Sequence, residues 1–358
     1  MRYCLGIEIG GTKLQIGMGD GARAEFAAFR RDQVDATQGA AEIRRRIVSG
    51  CRQLLEENRV SSEQIAGIGV SFGGPVDADA GRTMVSHQVD GWENFPLVEW
   101  LSGELNLPVC LQNDADSAAL AEAHFGAGRG YDPVLYVTVG SGMGGGLIIG
   151  GRIFRGSGAG AMEIGHLRPG RLPRSLPHGG NTVEAIASGF GITERARREI
   201  TDWRDTLAYV RSQFAGKSPH ETELAPAFQQ RLDPRAERFS RLLELAGGDP
   251  AGITTKLIAQ SAHAGDKLSL ELLADATWAI GWALAQAIAL VNPARIVIGG
   301  GVSLIGEELF FEPVRRACRQ QCFEPFAGIA EIVPAALGEE VVVHGALAVA
   351  GQAFLQRA

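Results

Sequence analysis

The chain has 358 residues, of which 45% are hydrophobic and 21% charged, an ordinary globular composition with enough residues for two packed domains. Its formal net charge of −7 provides no basic surface for nucleic acid or anionic lipid, and so indicates a small-molecule partner. The five cysteines lack paired CxxC spacing, which is typical of reduced thiols in a cytoplasmic protein. No stretch approaches the roughly 20 apolar residues of a membrane span, so we expect no membrane association.

The predicted elements alternate between strands and helices. The first half contains, in chain order, strands at 3–9 and 14–18, a helix at 40–57, a strand at 65–72, a helix at 97–105, a strand at 109–112 and a helix at 115–125. The second half contains strands at 134–139 and 146–149, a helical insertion at about 195–249, a helix at 268–291, a strand at 295–298, a helix around 307–321, a strand near 332 and a closing helix from 341. Two similar hairpins predict two similar half-folds.

Three glycine-rich turns each follow an apolar strand, at Gly10-Gly11-Thr12, at 140–146 and at Gly299-Gly300-Gly301. Glycine lets backbone amides approach phosphate oxygens closely, so the three turns predict a phosphate-binding site. The alternative is that they are turns and nothing more. None has the GxxxxGK[ST] pattern, and none has the context of a dinucleotide fingerprint, which indicates another nucleotide-binding fold.

Polar residues that could act on a substrate lie near these turns. Asp114 stands where a strand ends and a helix begins, so it is either a helix N-cap or a general base. Glu163 and His166 in AMEIGH, and Glu184 in NTVEAIASG, suit charge-assisted hydrogen bonds to sugar hydroxyls.

Taken in order, these motifs resemble those of the ROK family (repressors, open reading frames and kinases) over nearly the whole chain. GIEIGGTK resembles its first phosphate motif, GVSFGGPVD its GxxPGPVD segment, VTVGSGMGGGLIIGG its second phosphate loop and AMEIGH its AGEIGH motif. The resemblance implies an α/β, two-domain actin/hexokinase-like ATPase (ribonuclease H-like) fold with an interdomain cleft. The small domain would comprise 1–112 with the C-terminal helix 341–358, and the large domain 113–340 with the insertion.

The resemblance implies ATP-dependent phosphorylation of a hexose or hexose derivative, with Asp114 as catalytic base and Glu8 directed indirectly at Mg²⁺. The implied sugar-binding residues are Gly73, Gly74, Asn113, Glu163, His166 and Glu184. The implied ATP-binding residues are Glu8, Gly10, Gly11, Thr12, Lys13, Gly140, Ser141, Gly142, Gly299, Gly300 and Gly301. It also implies a small-molecule sugar as partner, no nucleic acid, and a homodimer.

The chain departs from the family pattern at several positions. Most relatives have aspartate at the position of Glu8, and the glutamate resembles a fructokinase-like branch, so glucose or fructose is favoured as acceptor. The family's CxCGxxGCxE zinc loop is replaced by SLPHGGNTVE, which predicts no structural zinc site. The family's glycine before EIGH is Met162, and the second asparagine of NDAN is Asp116.

Three other functions compete with the kinase interpretation. A repressor requires a DNA-binding helix-turn-helix before the first phosphate motif, which here begins at Gly6. A catalytically weak sugar-binding sensor would need neither the phosphate turns nor Asp114. A kinase of the same superfamily acting on another substrate also stays open.

Overall fold

The computed structural model describes residues 2–355 except 12, 87–88, 158–159, 171–179 and 215–236. The strands are β1 (Tyr3–Ile9), β2 (Lys13–Gly19), β3 (Ala28–Gln33), β4 (Ile65–Phe72), β5 (Val76–Asp77), β6 (Arg82–Thr83), β7 (Val109–Asn113), β8 (Val134–Val139), β9 (Met143–Ile149), β10 (Arg152–Ile153), β11 (Arg295–Gly299) and β12 (Glu331–Pro334). The α-helices are α1 (Gly39–Glu57), α2 (Leu97–Leu105), α3 (Asp114–Phe125), α4 (Val183–Ala187), α5 (Gly189–Phe214), α6 (Ser240–Leu245), α7 (Thr255–His263), α8 (Lys267–Val291), α9 (Glu312–Gln321) and α10 (Val341–Phe354).

Two five-stranded sheets share one topology. The first has the order β3-β2-β1-β4-β7 and the second the order β10-β9-β8-β11-β12. In both, a central strand pairs antiparallel with its hairpin partner on one side and parallel with the next strand on the other. The predicted repetition of the opening hairpin is therefore confirmed.

Apolar patterning accounts for most of the element positions. The strand β1 and the helix α2 have the predicted bounds, and α1 and α8 each begin one residue before theirs. The helix α1 buries Ile43, Ile47, Cys51 and Leu54 against the first sheet because these residues recur at helical spacing. The predicted helix around 307–321 begins as a π-helical turn, Glu307–Phe311, which leads into α9.

Two strands differ from the sequence prediction. The strand β9 begins at Met143 instead of residue 146, because Met143 pairs with Val139 and the following glycines continue the ladder. The second glycine-rich turn is therefore shorter than predicted. The edge strand β3 was missed because it alternates half-buried and exposed residues and carries the charged pair Arg30 and Asp32, 2.7 Å apart.

The sequence expectation that no segment matches a membrane span was wrong for α8. This helix is 25 residues long. Among the described residues it is the one helix whose length and composition alone would allow it to cross a membrane. Its apolar residues, such as Leu272, Ile280 and Leu284, are buried in the core of the second half of the chain. Burial of this kind is typical of a core helix.

The closing helix α10 packs on the first sheet and on α3. Its approach requires glycine, because a Cβ atom at Gly69 would overlap the Ala346 carbonyl and one at Gly345 would overlap the Ser117 carbonyl. The chain end thus returns to the first sheet, as the predicted small domain requires. The division into 1–112 with 341–358 and 113–340 stays a prediction.

The predicted insertion at 195–249 is helical where it is described. It contains most of α5 and all of α6, while residues 215–236 lie outside the described part of the chain. Sequence periodicity placed the insertion without defining its helices.

Candidate active site

A cavity of about 980 Å³ lies between the two sheets. It brings together eight of the predicted site residues from distant parts of the sequence: Glu8, Lys13, Asp114, Gly140, Ser141, Gly299, Gly300 and Gly301. The glycine-rich turns at 140–146 and 299–301 thus contribute to a common cavity, and Glu8 and Lys13, on either side of the first turn, line it as well. Thr12 lies outside the described residues.

The first hairpin contributes a buried carboxylate and a lysine. Glu8, 6% exposed, lies in β1, and its Oε1 is 3.1 Å from Lys13 Nζ in β2. Burial raises the pKa of Glu8 to about 7, and the positive charge of Lys13 opposes that rise. Lys13 Nζ also donates to the Glu339 carbonyl at 3.1 Å, just before α10.

The fully buried Gln15 extends this polar group toward the outer strand β3. In the amide orientation that satisfies its neighbours, Gln15 Nε2 donates to Glu8 Oε2 at 3.1 Å and Oε1 accepts from Arg31 Nε at 2.9 Å. Arg31 also pairs with Glu339 and Glu340, at 2.8 and 2.6 Å. Glu8 is therefore held at a fixed place facing the cavity.

The second turn is held through its backbone. The Gly140 amide donates to the Gly142 carbonyl at 2.9 Å, and the Gly189 amide at the start of α5 donates to the Gly140 carbonyl at 2.8 Å. Glu184 Oε2 accepts from the Met143 amide at 2.7 Å. The predicted sugar residue Glu184 thus anchors the second turn, a contact that the sequence did not indicate.

The third turn abuts the second. Gly300 has φ +88°, and a Cβ atom there would lie 2.5 Å from the Val139 carbonyl oxygen. The Val302 amide donates to that same oxygen at 2.9 Å. Glycine at this position lets β11 end directly against the strand that carries the second turn.

Asn113, not Asp114, caps α3. Its Oδ1 accepts from the Ala115 and Asp116 amides at 2.8 and 3.3 Å, and its Nδ2 donates to the Gly74 carbonyl at 3.0 Å. The N-cap alternative for Asp114 was therefore wrong by one residue. Asn113, predicted to bind sugar, has both ends of its amide occupied by backbone.

Asp114 is the first residue of α3, and its Oδ1 accepts from the Ala115 amide at 2.8 Å. Burial raises the pKa of Asp114 to about 6, and the nearby negative charge of Glu163 adds to the rise. A methyl group at Gly73 would lie 3.6 Å from Asp114 Oδ2 and 3.7 Å from the Gly10 Cα. Gly10, Gly73 and Asp114 therefore converge at the carboxyl ends of β1, β4 and β7.

The predicted sugar-binding group lies beside the large cavity without lining it. Glu163 precedes the 3₁₀ turn Ile164–His166 and His166 ends it, and both are exposed. Gly73, Gly74, Asn113, Glu184, Gly10, Gly11 and Gly142 are likewise absent from the cavity lining. The large cavity thus joins the predicted phosphate side to Asp114, and two of the predicted sugar residues, Gly73 and Glu163, lie close enough to Asp114 to contact it or to affect its charge.

Other lining residues were missed by sequence reasoning. They include Thr138, Phe190, Thr193, Arg197, Lys256 and Leu304. Thr138 lies in β8, within the VTVGSGMGGGLIIGG motif, but was not singled out. No motif marks the other five, because they enter the cavity from α5, α7 and the turn after β11, which are distant in sequence.

Within the described residues, no three or more His, Cys, Asp or Glu side chains form a group that could hold a metal ion. Part of the stretch that replaces the family's zinc loop, 171–179, lies outside those residues. The prediction of no structural zinc site therefore stays a prediction.

The ROK family model matches residues 4–353. The chain belongs to the ROK family. Glucokinase of Halalkalibacterium halodurans is 29% identical over 96% of this chain and 93% of that protein, and glucokinase of Streptomyces coelicolor is 28% identical over 97% and 96%. Among solved structures, a ROK family glucokinase from Streptomyces griseus in complex with glucose and AMPPNP has a TM-score of 0.70 at 28% identity, covering 98% of this chain and 99% of that one.

The ROK hexokinase from Thermus thermophilus has a TM-score of 0.73 at 26% identity and covers 99% of this chain and 100% of its own. The actin/hexokinase-like ATPase fold predicted from the motifs is therefore confirmed. The family also contains regulators: the xylose repressor of Caldicellulosiruptor bescii is 25% identical over 79% of this chain and 62% of that protein.

Proposed function

We propose that this ROK-family chain transfers the γ-phosphoryl group of ATP to a hydroxyl of a hexose, with Asp114 as general base. The observation that carries the proposal is the position of Asp114, which lines the same cavity as Glu8, Lys13 and parts of two glycine turns. A sugar-binding sensor needs a sugar site but no such phosphate site beside a base. The family's glucokinases support the same assignment.

The raised pKa of Asp114, about 6, suits a general base. The carboxylate stays ionised at neutral pH, yet it has a greater affinity for the proton of an attacking hydroxyl than an ordinary aspartate has. The hydrogen bond from the Ala115 amide fixes Oδ1, so the side chain is oriented before the sugar arrives.

The residues around the cavity fit a nucleotide polyphosphate with magnesium. Lys13 supplies a positive charge, the turns at Gly140 and Gly300 supply backbone amides at glycine positions, and Glu8 would supply a carboxylate to accept hydrogen bonds from water on the metal. When bound, Mg²⁺ neutralises the β- and γ-phosphates. The protein residues then position the donor and exclude water.

Glucose is the acceptor that the relatives favour. The glucokinases match nearly the whole chain, whereas the putative fructokinase of Bacillus subtilis is 32% identical over 56% of it. We therefore place glucose ahead of fructose, and we infer a homodimer acting in the cytoplasm, where ATP is available.

The test is coupled ADP release from the purified protein with Mg-ATP and a panel of hexoses and N-acetylhexosamines, comparing wild type with Asp114→Ala. Turnover with one sugar, reduced at least about a hundredfold by Asp114→Ala, is expected from the loss of a general base. Binding of a sugar without turnover in wild type would instead favour the sensor, the function for which the family's repressors give precedent.

A further inference from the structure

A chain of side chains connects the two sheets beside Asp114, and the proposed function assigns it no role. Arg155 follows β10 of the second sheet. Its Nη2 donates to Gln112 Oε1 in β7 at 2.7 Å, and Gln112 Nε2 donates to Asp116 Oδ2 in α3 at 2.8 Å. A residue from the second sheet thus reaches a carboxylate two positions after Asp114.

We propose that Arg155 is a positioning residue for the acceptor side of the active site, acting through Gln112 and Asp116 on the first turn of α3. The inference rests on the proposed function, since it names how the base is held during phosphoryl transfer. The set Arg155, Gln112 and Asp116 is called the Arg155 relay below.

Burial fixes the orientation of the Gln112 amide within the relay. Gln112 is 2% exposed and Asp116 4% exposed, so neither side chain can exchange its partner for bulk water. The amide of Gln112 must present its oxygen to Arg155 in order to present its NH2 group to Asp116. Without the guanidinium, the amide can reverse and set its oxygen against the carboxylate.

Asp116 has little else to hold it. Its Oδ1 is buried and has no hydrogen-bond partner in the described part of the chain. Burial raises the pKa of Asp116 to about 6, while Gln112 and the positive charge of Arg155 oppose the rise. A buried carboxylate with one oxygen unsatisfied depends strongly on the donors that remain.

Asp116 is also bound to the cap that orients Asp114. Its amide donates to Asn113 Oδ1, the group that also accepts from the Ala115 amide. A shift of Asp116 therefore moves the helix start from which Asp114 projects. Displacements of about 1 Å at a reacting group can cost a hundredfold in rate.

The same arginine makes a second contact that serves as an internal control. Arg155 Nη1 lies 3.2 Å from Asp79 Oδ1 between β5 and β6, where the Asp79 side chain is 92% exposed. An exposed pair of this kind contributes little. Loss of the Asp79 contact should therefore leave the relay intact.

The experiment compares Arg155→Met, Arg155→Lys and Asp79→Asn in steady-state assays, with the sugar and with ATP varied separately. Arg155→Met should lower kcat/KM for the sugar at least about tenfold and leave the KM for ATP within about twofold. Asp79→Asn should leave both constants unchanged within about twofold. Arg155→Lys, which keeps the charge but not the planar fork, should recover part of the loss.

The double variant Arg155→Met/Gln112→Leu tests the relay as a unit. The loss of kcat/KM for the sugar should be close to that of the more damaging of the two single variants, Arg155→Met and Gln112→Leu. Substitutions within one hydrogen-bonded chain do not have additive effects. Three results would each overturn the proposal. The losses of the two single variants could add in the double variant, or Arg155→Met could have the same kinetic constants as Asp79→Asn. The constants for ATP and for the sugar could also be damaged equally.

Failure of the relay and failure of the kinase assignment can be separated. If the wild-type protein turns over no sugar, the proposed function fails, and the relay is judged from glucose affinity measured by calorimetry. Weaker glucose binding by Arg155→Met than by Asp79→Asn supports the relay, and equal binding by the two variants overturns it.

Discussion

The hairpins β1–β2 and β8–β9 occupy equivalent places in two sheets of the same order, yet they present different chemistry to the cavity. The first hairpin carries charge within its strands, with Glu8 held between Lys13 and Gln15. The second carries no charged side chain at its turn and is anchored from outside by Glu184 and the start of α5. Two hairpins with the same backbone arrangement can therefore contribute differently to one cavity, the first through charged side chains and the second through backbone amides.

The largest expected effect is the loss of the charge in the first hairpin. Glu8→Gln should lower kcat about a hundredfold, since the neutral amide can no longer direct the metal ion and Lys13 loses its ion pair. Steady-state assays across a magnesium titration would measure it. Asp32→Asn, on the exposed edge of the same sheet, is the matched control.

A kcat for Glu8→Gln within fivefold of the wild-type value would contradict the proposed difference between the two hairpins. Both hairpins would then act through their backbone, and the buried ion pair would have a structural role.

The second hairpin should depend on an acceptor and not on a charge. Glu184→Ala removes the acceptor of the Met143 amide and should lower kcat/KM for ATP about tenfold or more, because the turn loses its anchor. Glu184→Gln retains an oxygen for that amide and should recover most of this loss. The two variants are compared with ATP varied at saturating sugar.

Equal damage from both Glu184 variants, confined to the sugar constants, would instead favour the sugar-binding role implied by the family resemblance.

The sequence predicted the repeated hairpins because both consist of apolar strands around glycines. The nearly complete burial of β1 and β8 matches their continuous apolar sequence, which is typical of a buried strand. It did not predict β3, an edge strand in which the charged residues Arg30 and Asp32 pair with each other. Motifs located Asp114 and the glycine turns. The anchoring of the second turn by Glu184 and the Arg155 relay depend on contacts between residues more than 40 positions apart, which no local pattern records.

The proposed general base, Asp114, predicts that activity falls as the pH is lowered. Asp114 must be ionised to accept a proton, and its pKa is raised to about 6, while the pKa of Glu8, whose charge the first hairpin needs, is raised to about 7. Activity should therefore begin to fall below about pH 7, as Glu8 takes up a proton, and be lost as pH falls through about 6 and not through 4. Below that point, kcat/KM for the sugar should fall at least about tenfold per pH unit. Circular dichroism at each pH would show that the protein stays folded.

A profile that stays flat to pH 4.5 would contradict a base with a raised pKa. The assignment of the proton transfer to Asp114 would then rest on its position in the cavity alone.

The smallest effect on activity is expected where α3 joins the second sheet. Glu122 is fully buried; its Oε1 accepts from the Ala336 and Leu337 amides, each at 2.9 Å, and its Oε2 accepts from the Ala127 amide at 2.8 Å. Glutamine can supply one oxygen, so Glu122→Gln turns an NH2 group toward a backbone donor. The free energy of unfolding should fall by about 1–3 kcal/mol, measured with urea.

The exposed Glu308, in the turn before α9, provides the control, since Glu308→Gln should change stability by less than about 0.5 kcal/mol. Activity at low temperature should survive Glu122→Gln within about threefold, because Glu122 itself does not line the cavity. Equal stability of the two variants would mean that the amides at 336 and 337 find other partners. In that case the junction between the sheets would rest on the packing of α10 against α3, and Glu122 would contribute no more than a surface glutamate.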